Sequence, residues 1–133
     1  MTAYRLFGAE TSPYSLKVRS FLTYKGIDFD WIARSQATEE EFQSFARVPT
    51  VPLLVSPNRA PNQDSTDILS CVENDHAEPS SVPDDPACAV LALILEDYAD
   101  EWLNKVMFLK RWGQKPDREA AAARTMEQLF DGK

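Results

Sequence analysis

The sequence predicts an α/β fold with the element order βαβαββα, followed by a partial all-α domain of about two helices. Over the first 75 residues, short apolar runs alternate with amphipathic helical patterns, as in a domain where helices pack against one sheet. After a proline-rich segment, the chain from Ala87 to about Trp112 contains neither proline nor glycine. That second stretch therefore favours one long helix.

The first strand and helix are predicted from the residues at their ends. Tyr4–Phe7 is a short strand pattern that ends at a glycine. Ser12 then precedes Pro13, and serine is a favoured helix cap. Proline suits the first helical position because an N–H there would have no partner in the helix. We expect this helix to run from Tyr14 to about Lys25.

The rest of the first domain follows from similar patterns. An acidic run after a threonine is typical of a helix start, since negative charge is favoured at that end. Two prolines stand just before an apolar triplet, so they precede a strand instead of interrupting it. The predicted elements are a strand at Phe29–Ala33, a helix from Thr38 to near Arg47, a strand at Leu53–Val55, a short strand near Arg59–Asn62, and a helix from Asp64-Ser65 to near Asp75.

Residues 76–86 hold three prolines with acidic and small side chains, which is typical of a linker. It separates a predicted domain at residues 1–77 from a helical domain at residues 86–133. The last helix is expected at about Asp117–Phe130. In the long helix, Trp102, Phe108 and Trp112 recur at helical spacing, so we expect them mainly in a core; the alternative is that they line a pocket.

Charge and apolar content exclude several classes of partner. The 133 residues carry 14 Lys plus Arg against 21 Asp plus Glu, a net charge of −7, so a nucleic-acid partner is not expected. The longest apolar run, Ala87–Leu95, has nine residues, about half of what a bilayer crossing needs. The amino terminus lacks the pattern of a secretory leader, so we expect a cytoplasmic protein without membrane partners.

The two cysteines predict neither a metal site nor a disulfide. Cys71 and Cys88 lie seventeen positions apart, with no Cys-x-x-Cys pair and with one histidine in the chain. We interpret both as small buried hydrophobes that stay reduced.

Three features of the first seventy residues carry chemistry. The helix start at Ser12 offers free N–H groups and partial positive charge, which favour a thiolate, and a hydroxyl that can donate to sulfur. A cis peptide at Val51-Pro52 would leave the Val51 backbone free to pair with an extended peptide ligand. At the next helix start, Ser65 and N–H groups can hold a carboxylate, while Asp64 holds an amine.

These segments resemble the glutathione transferase family. Thr11–Arg19 is similar to the family's first-helix motif, Val48–Leu54 to its cis-proline segment, and Gln63–Ile68 to its γ-glutamyl motif, in the same order and spacing. Leu95–Leu103, followed by Arg111-Trp112, is similar to the first helix of the second domain in a bacterial branch. The resemblance implies a thioredoxin-like domain over about residues 1–77 and the start of an all-helical domain.

The resemblance also implies roles for individual residues. Ser12 would stabilise the thiolate of glutathione, the co-substrate, for attack on a small electrophile. The family's usual Asn-Pro-x-Gly is replaced by Ala46–Thr50, and Arg47 becomes the candidate partner of the glycyl carboxylate. The implied glutathione-binding residues are Val51, Pro52, Gln63, Asp64 and Ser65.

Two alternatives stay open: a noncatalytic scaffold or dimerisation module with this fold, and a fragment of a longer enzyme, because family members have several more helices. A dithiol oxidoreductase is excluded. The Cys-Pro-Tyr-Cys of glutaredoxins has Ser12 and Ser15 in the cysteine positions here, and thiol–disulfide exchange needs a thiolate. We expect a homodimer, since two helices alone leave apolar faces uncovered.

Overall fold

The computed structural model describes residues 4–130, and the chain divides into two compact units. The first unit contains the chain up to Pro79 and again from Arg124, and the second is Ser80–Ala123. The βαβαββα order predicted for the first unit is confirmed. Its elements are β1 (Tyr4–Gly8), α1 (Pro13–Tyr24), β2 (Phe29–Ala33), α2 (Glu39–Phe45), β3 (Leu53–Val55), β4 (Asn62–Gln63) and α3 (Ser65–Asp75).

The remaining helices follow the linker. They are α4 (Pro86–Tyr98), a π-helical segment (Ala99–Leu103), α5 (Asn104–Gly113) and α6 (Lys115–Leu129). The long helix predicted from Ala87 is thus divided by π-helical geometry. The last turns of α6, from Arg124, belong to the first unit.

In the first unit, two element boundaries differ from the sequence prediction by more than one residue. α2 ends at Phe45, because Ala46 already has extended backbone angles, with φ −78° and ψ 136°. β4 lies at Asn62–Gln63, later than predicted, because Pro61 has no N–H to donate to a sheet ladder.

The four strands form one mixed sheet in the order β2-β1-β3-β4. β1 runs parallel to β2 and antiparallel to β3, and β3 runs antiparallel to β4. Phe7 of β1 is paired with Leu53 of β3, which is paired in turn with Gln63 of β4. The end of β1, the start of β3 and the end of β4 therefore lie at the same end of the sheet.

Helices cover both faces of this sheet. Leu6 and Phe7 are both fully buried, and consecutive residues of a strand point to opposite faces. Leu6 belongs to the larger apolar cluster, with residues of α1 and α3, whereas Phe7 packs edge-on against Phe42 of α2, with ring centroids 5.9 Å apart. The larger cluster consists of Leu6, Val18, Leu22, Leu54, Ile68 and Val72.

A buried lysine joins the ends of α1 and α3. The Lys25 ammonium forms an ion pair with Glu73 at 2.7 Å and donates to the carbonyls of His76 at 2.8 Å and Pro79 at 2.7 Å. The His76 ring nitrogen Nε2 also lies 2.9 Å from the Tyr4 hydroxyl. These contacts satisfy the buried charge and fix the start of the linker on the first unit.

The second unit presents a different surface. α4 has no buried residue, and its leucines are among the most exposed apolar side chains of the described chain. Cys88 is exposed and Cys71 half-buried, so the prediction that both are buried is wrong for Cys88. Within residues 4–130, no helix combines the length and apolar content that a bilayer crossing requires.

Candidate functional site

The sheet register brings the three predicted motif segments to one end of the sheet. The loop that carries Ser12 leaves the end of β1, Val51-Pro52 leads into β3, and Asp64 follows the end of β4. Adjacent strands lie about 4.8 Å apart, so the outer two of these segments start from points roughly 10 Å apart. That spacing suits a ligand of a few residues lying across the strand ends.

Ser12 caps α1. Its Oγ accepts a hydrogen bond from the Ser15 N–H at 3.2 Å, and its carbonyl accepts from the Leu16 N–H at 3.1 Å. The side-chain bond uses a lone pair of the oxygen, so it leaves the hydroxyl hydrogen to donate elsewhere. Ser12 is half-buried and stands at the positive end of the helix.

The β1–α1 loop is held closely behind Ser12. Ser15 is fully buried, and its Oγ accepts from the Ala9 N–H at 3.2 Å. A Cβ at Gly8 would lie 2.3 Å from Cη2 of Trp31, so any larger residue would require the indole to shift. The sequence patterns predicted no role for Ser15, although its position three residues after the cap was the available indication.

Val51 and Pro52 directly precede β3, and the peptide bond between them is cis. Pro52 is buried and Val51 half-buried. Within residues 4–130, no partner is seen for the Val51 backbone N–H or C=O. An extended ligand can therefore use both groups, as a neighbouring strand would.

The Gln63 side chain holds the loop before Val51. Its Oε1 accepts from the N–H groups of Arg47 at 2.8 Å and Val48 at 3.2 Å. Its Nε2 donates to the carbonyls of Val48 at 2.9 Å and Thr50 at 2.8 Å. This amide makes four hydrogen bonds to the loop, which makes Gln63 a support for the cis-proline segment.

Arg34, directly after β2, supports the same loop, and no sequence pattern predicted this contact. Its Nη1 donates to the Pro49 carbonyl at 2.7 Å, while Nε and Nη2 bind both carboxylate oxygens of Glu39, at 2.9 and 3.0 Å. Hydrogen bonds, chiefly from Arg34 and to a smaller extent from Gln43, lower the pKa of Glu39 to about 2. The two partners of Arg34, Glu39 and Pro49, lie 5 and 15 residues further along the chain. No local sequence pattern therefore reveals that Arg34 contacts this loop.

Asp64 and Ser65 form the start of α3. Asp64 has φ 80°, a left-handed conformation that is unfavourable for an aspartate, and its carboxylate accepts from the Thr66 N–H at 3.0 Å. Ser65 is buried at this turn. Lys17 of α1 donates to the Thr66 hydroxyl at 3.4 Å, so it adds positive charge beside the helix start.

Arg47 is one of the residues that line a cavity. This cavity has a volume of about 380 Å³ and is lined by residues of the β3–β4 hairpin and α3, among them Arg59, Cys71 and Asp75. Asn62 Nδ2 donates to the Cys71 sulfur there, at 3.3 Å. Within residues 4–130, neither this cavity nor any other place has a group of three or more His, Cys, Asp or Glu side chains that could hold a metal ion.

The sheet order, the cis-proline before β3 and the capped starts of α1 and α3 together define a thioredoxin-like domain of the glutathione transferase type. Residues 6–80, more than half of the chain, match the family described as glutathione S-transferase, N-terminal domain. The chain therefore belongs to the glutathione S-transferase family.

Solved structures agree with this fold. The chain is 27% identical to a glutathione S-transferase from Methylobacterium radiotolerans in complex with glutathione sulfonate, covering 98% of this chain and 64% of that one, with a TM-score of 0.69. For a Tau class glutathione S-transferase from mango, the identity is 22%, the coverages are 92% and 57%, and the TM-score is 0.67.

A maleylacetoacetate isomerase from Anaeromyxobacter dehalogenans with GSH bound in its active site is 25% identical, with coverages of 73% and 48% and a TM-score of 0.60. The chain thus spans between about half and two thirds of the length of these structures. No curated protein matches the chain.

Proposed function

We propose that the protein binds glutathione, stabilises its thiolate and conjugates it to a small electrophile. The observation that carries the proposal is that Ser12, Val51 and the Asp64-Ser65 turn all lie at one end of the sheet. Two structures of this fold, at 27% and 25% identity, hold glutathione sulfonate and GSH. Their ligands support the same ligand class here.

Glutathione would lie across the strand ends. The N–H groups at the start of α3 and the Ser65 hydroxyl suit the γ-glutamyl carboxylate, and the Asp64 carboxylate suits the amine of the same residue. The free backbone of Val51 suits the cysteinyl part of the tripeptide. Pro52 and Gln63 would fix the Val51 segment, and Arg47 stays the proposed partner of the glycyl carboxylate.

The thiol would then lie near Ser12. The Ser12 hydroxyl donates to the sulfur, and the partial positive charge of the α1 start favours the anion, so the thiol pKa falls. The proton goes to solvent, and the thiolate forms a C–S bond with an electrophilic carbon. Displaced electrons go to the leaving group, or to the acceptor itself in an addition. No covalent bond to the protein forms.

Replacing Ser12 tests this mechanism. Ser12→Ala should lower kcat by roughly tenfold or more, since a hydrogen bond to a charged group contributes about 1.5–3 kcal/mol. The glutathione dissociation constant, measured by calorimetry, should stay within about twofold. Ser12→Thr is the matched control, because it keeps both the hydroxyl and the cap. A loss of stability of about 1 kcal/mol without any kinetic change would show that Ser12 only caps the helix.

The γ-glutamyl contacts are tested by affinity. Ser65→Ala should raise KM for glutathione with a smaller effect on kcat, because it removes binding that the ground and transition states share. The double variant Asp64→Ala/Ser65→Ala should lose retention on immobilised glutathione. Calorimetric binding equal to the unmodified protein would refute the assignment.

The second candidate is a noncatalytic scaffold or dimerisation module, favoured by the exposed apolar face of α4. It predicts neither retention on glutathione nor thiol conjugation. Both candidates include a homodimer, because patches above a few hundred Å² are rare on monomers. Sedimentation equilibrium at tens of micromolar tests the dimer.

We also propose a cytoplasmic location. The reaction consumes glutathione in its reduced form, and both Cys71 and Cys88 are free thiols. Detection of the tagged protein in the cytoplasmic fraction tests this part of the proposal.

A further inference from the structure

The end of α6 holds the loop that carries Ser12. The Gln128 side-chain oxygen Oε1 accepts from the Glu10 N–H at 2.9 Å, and its Nε2 donates to the Arg34 carbonyl at 3.2 Å. One residue further, the Leu129 carbonyl accepts from the Gln36 N–H at 3.0 Å. Gln128 thus bridges the β1–α1 and β2–α2 loops within the first unit.

Three backbone N–H groups of the Ser12 loop have defined partners. Ala9 donates to Ser15 Oγ and Ser12 donates to the Ala9 carbonyl, so these two bonds lie within the loop and α1. The Glu10 N–H, two residues before Ser12, instead donates to Gln128. The chain thus supplies this loop contact from more than a hundred residues away.

Arg34 extends the bridge toward the cis-proline segment. Its carbonyl accepts from Gln128, and its guanidinium donates to the Pro49 carbonyl at 2.7 Å. Arg34 therefore contacts both Gln128, which holds the Ser12 loop, and the loop before Val51. A side chain that binds this residue acts on both halves of the proposed thiol site.

We propose that Gln128 is a positioning residue for Ser12, an inference that rests on the proposed function. By binding the Glu10 N–H it keeps the β1–α1 loop in the conformation that aims the Ser12 hydroxyl at the thiol. A donor that samples other directions stabilises the thiolate less, because hydrogen bonds weaken steeply away from linear geometry. Loss of Gln128 therefore raises the pKa of the thiol of bound glutathione and leaves the γ-glutamyl contacts intact.

The experiment compares Gln128→Met, which keeps the length of the side chain and removes both hydrogen bonds, with Gln114→Met, the same change at an exposed position. For Gln128→Met we expect kcat/KM at neutral pH to fall about threefold to tenfold, as for one lost hydrogen bond. The pH profile should shift to higher pH, and the glutathione dissociation constant should change less than about twofold. Gln114→Met should match the unmodified protein.

Amide hydrogen exchange provides a readout that is independent of catalysis. In Gln128→Met the Glu10 N–H should exchange about threefold to tenfold faster, while the Gln36 N–H, bound by the Leu129 carbonyl, stays protected. If α6 comes away in that variant, both amides lose protection. In that case Gln128→Glu is the test variant, because its carboxylate still accepts a hydrogen bond from the Glu10 N–H. It should keep the Glu10 amide protected and should retain more activity than Gln128→Met.

An active protein whose pH profile and kcat/KM are unchanged in Gln128→Met overturns this inference and leaves the proposed function standing. Activity in Gln128→Glu no higher than in Gln128→Met also overturns it. An unmodified protein that neither binds nor conjugates glutathione overturns the proposed function and this inference together, and that result appears equally in the Gln114→Met control.

Discussion

The two units of the chain contain similar kinds of apolar residues and bury them very differently. In the first unit, helices lie on both faces of the sheet, and side chains such as Leu6, Leu22 and Phe42 are fully buried. In the second unit, α4 and α5 have no buried residue, and Leu93 is 68% exposed. An apolar pattern at helical spacing therefore identifies a helix without identifying what covers it.

The same substitution in the two units should give the largest difference. Leu22→Ala should lower the free energy of unfolding by about 2–5 kcal/mol, because it removes buried methyl groups and leaves a cavity. Leu93→Ala, at an exposed position, should change it by no more than about 0.5 kcal/mol in dilute protein. Urea denaturation at low concentration measures both. Equal effects would mean that Leu93, like Leu22, is buried in the dilute protein.

Gly8 in the first unit and Gly113 in the second differ in the space available for a side chain. Gly8→Ala should destabilise the protein by about 1–3 kcal/mol, because the added Cβ would lie 2.3 Å from the Trp31 ring. At Gly113, an added Cβ would lie 3.7 Å from Leu109, which is ordinary contact. Gly113→Ala should therefore be neutral or slightly stabilising. Thermal unfolding of the two variants distinguishes them, and a tolerated Gly8→Ala would mean that Trp31 moves freely.

Sequence patterns predicted most of the first unit because its elements begin and end with local chemistry. Ser12-Pro13 marked α1 and Asp64-Ser65 marked α3, and both are helix starts in the structure. The supports of the site escaped prediction for the opposite reason. Arg34 and Gln128 bind backbone atoms of distant loops, and a backbone partner leaves no trace in the residue types.

Gln63 lies between these cases. Its motif predicted a glutathione contact, yet its amide binds the backbone of residues 47–50.

In the second unit, the expectation that the aromatic residues lie mainly in a core was wrong. Trp102 is 60% and Phe108 52% exposed, because spacing along a helix fixes a face and not its neighbour.

The exposed face of α4 should control self-association. If a second copy covers it, Leu95→Glu should raise the dimer dissociation constant about tenfold or more, since a charge placed in an apolar interface loses its solvation. Leu95 is 65% exposed within one chain, and Val82→Glu, at a linker residue that is 54% exposed, is the matched control. Sedimentation equilibrium measures both constants. A monomer at tens of micromolar that binds no hydrophobic dye would rule out this use of the face.

The smallest effect concerns the acid stability of the first unit. The pKa of Glu39 is about 2 in the folded protein, below its ordinary value of 4.5, chiefly because Arg34 donates to its carboxylate. A lowered pKa stabilises the fold above pH 4.5, and this contribution is lost as the pH falls from about 4.5 toward 2. The Glu39 side chain is 40% exposed, so solvent screening limits the effect to about 0.2–1 kcal/mol.

Glu39→Gln should remove this part of the pH dependence. The difference in unfolding free energy between the unmodified protein and the variant should be largest near neutral pH and should shrink as the pH falls toward 2. Glu40→Gln is the matched control, since Glu40 is an exposed neighbour in the same first turn of α2. Urea denaturation across this pH range measures the difference. If the difference stayed constant with pH, folding would not lower the pKa of Glu39, and the Arg34 contact would not stabilise the charged carboxylate.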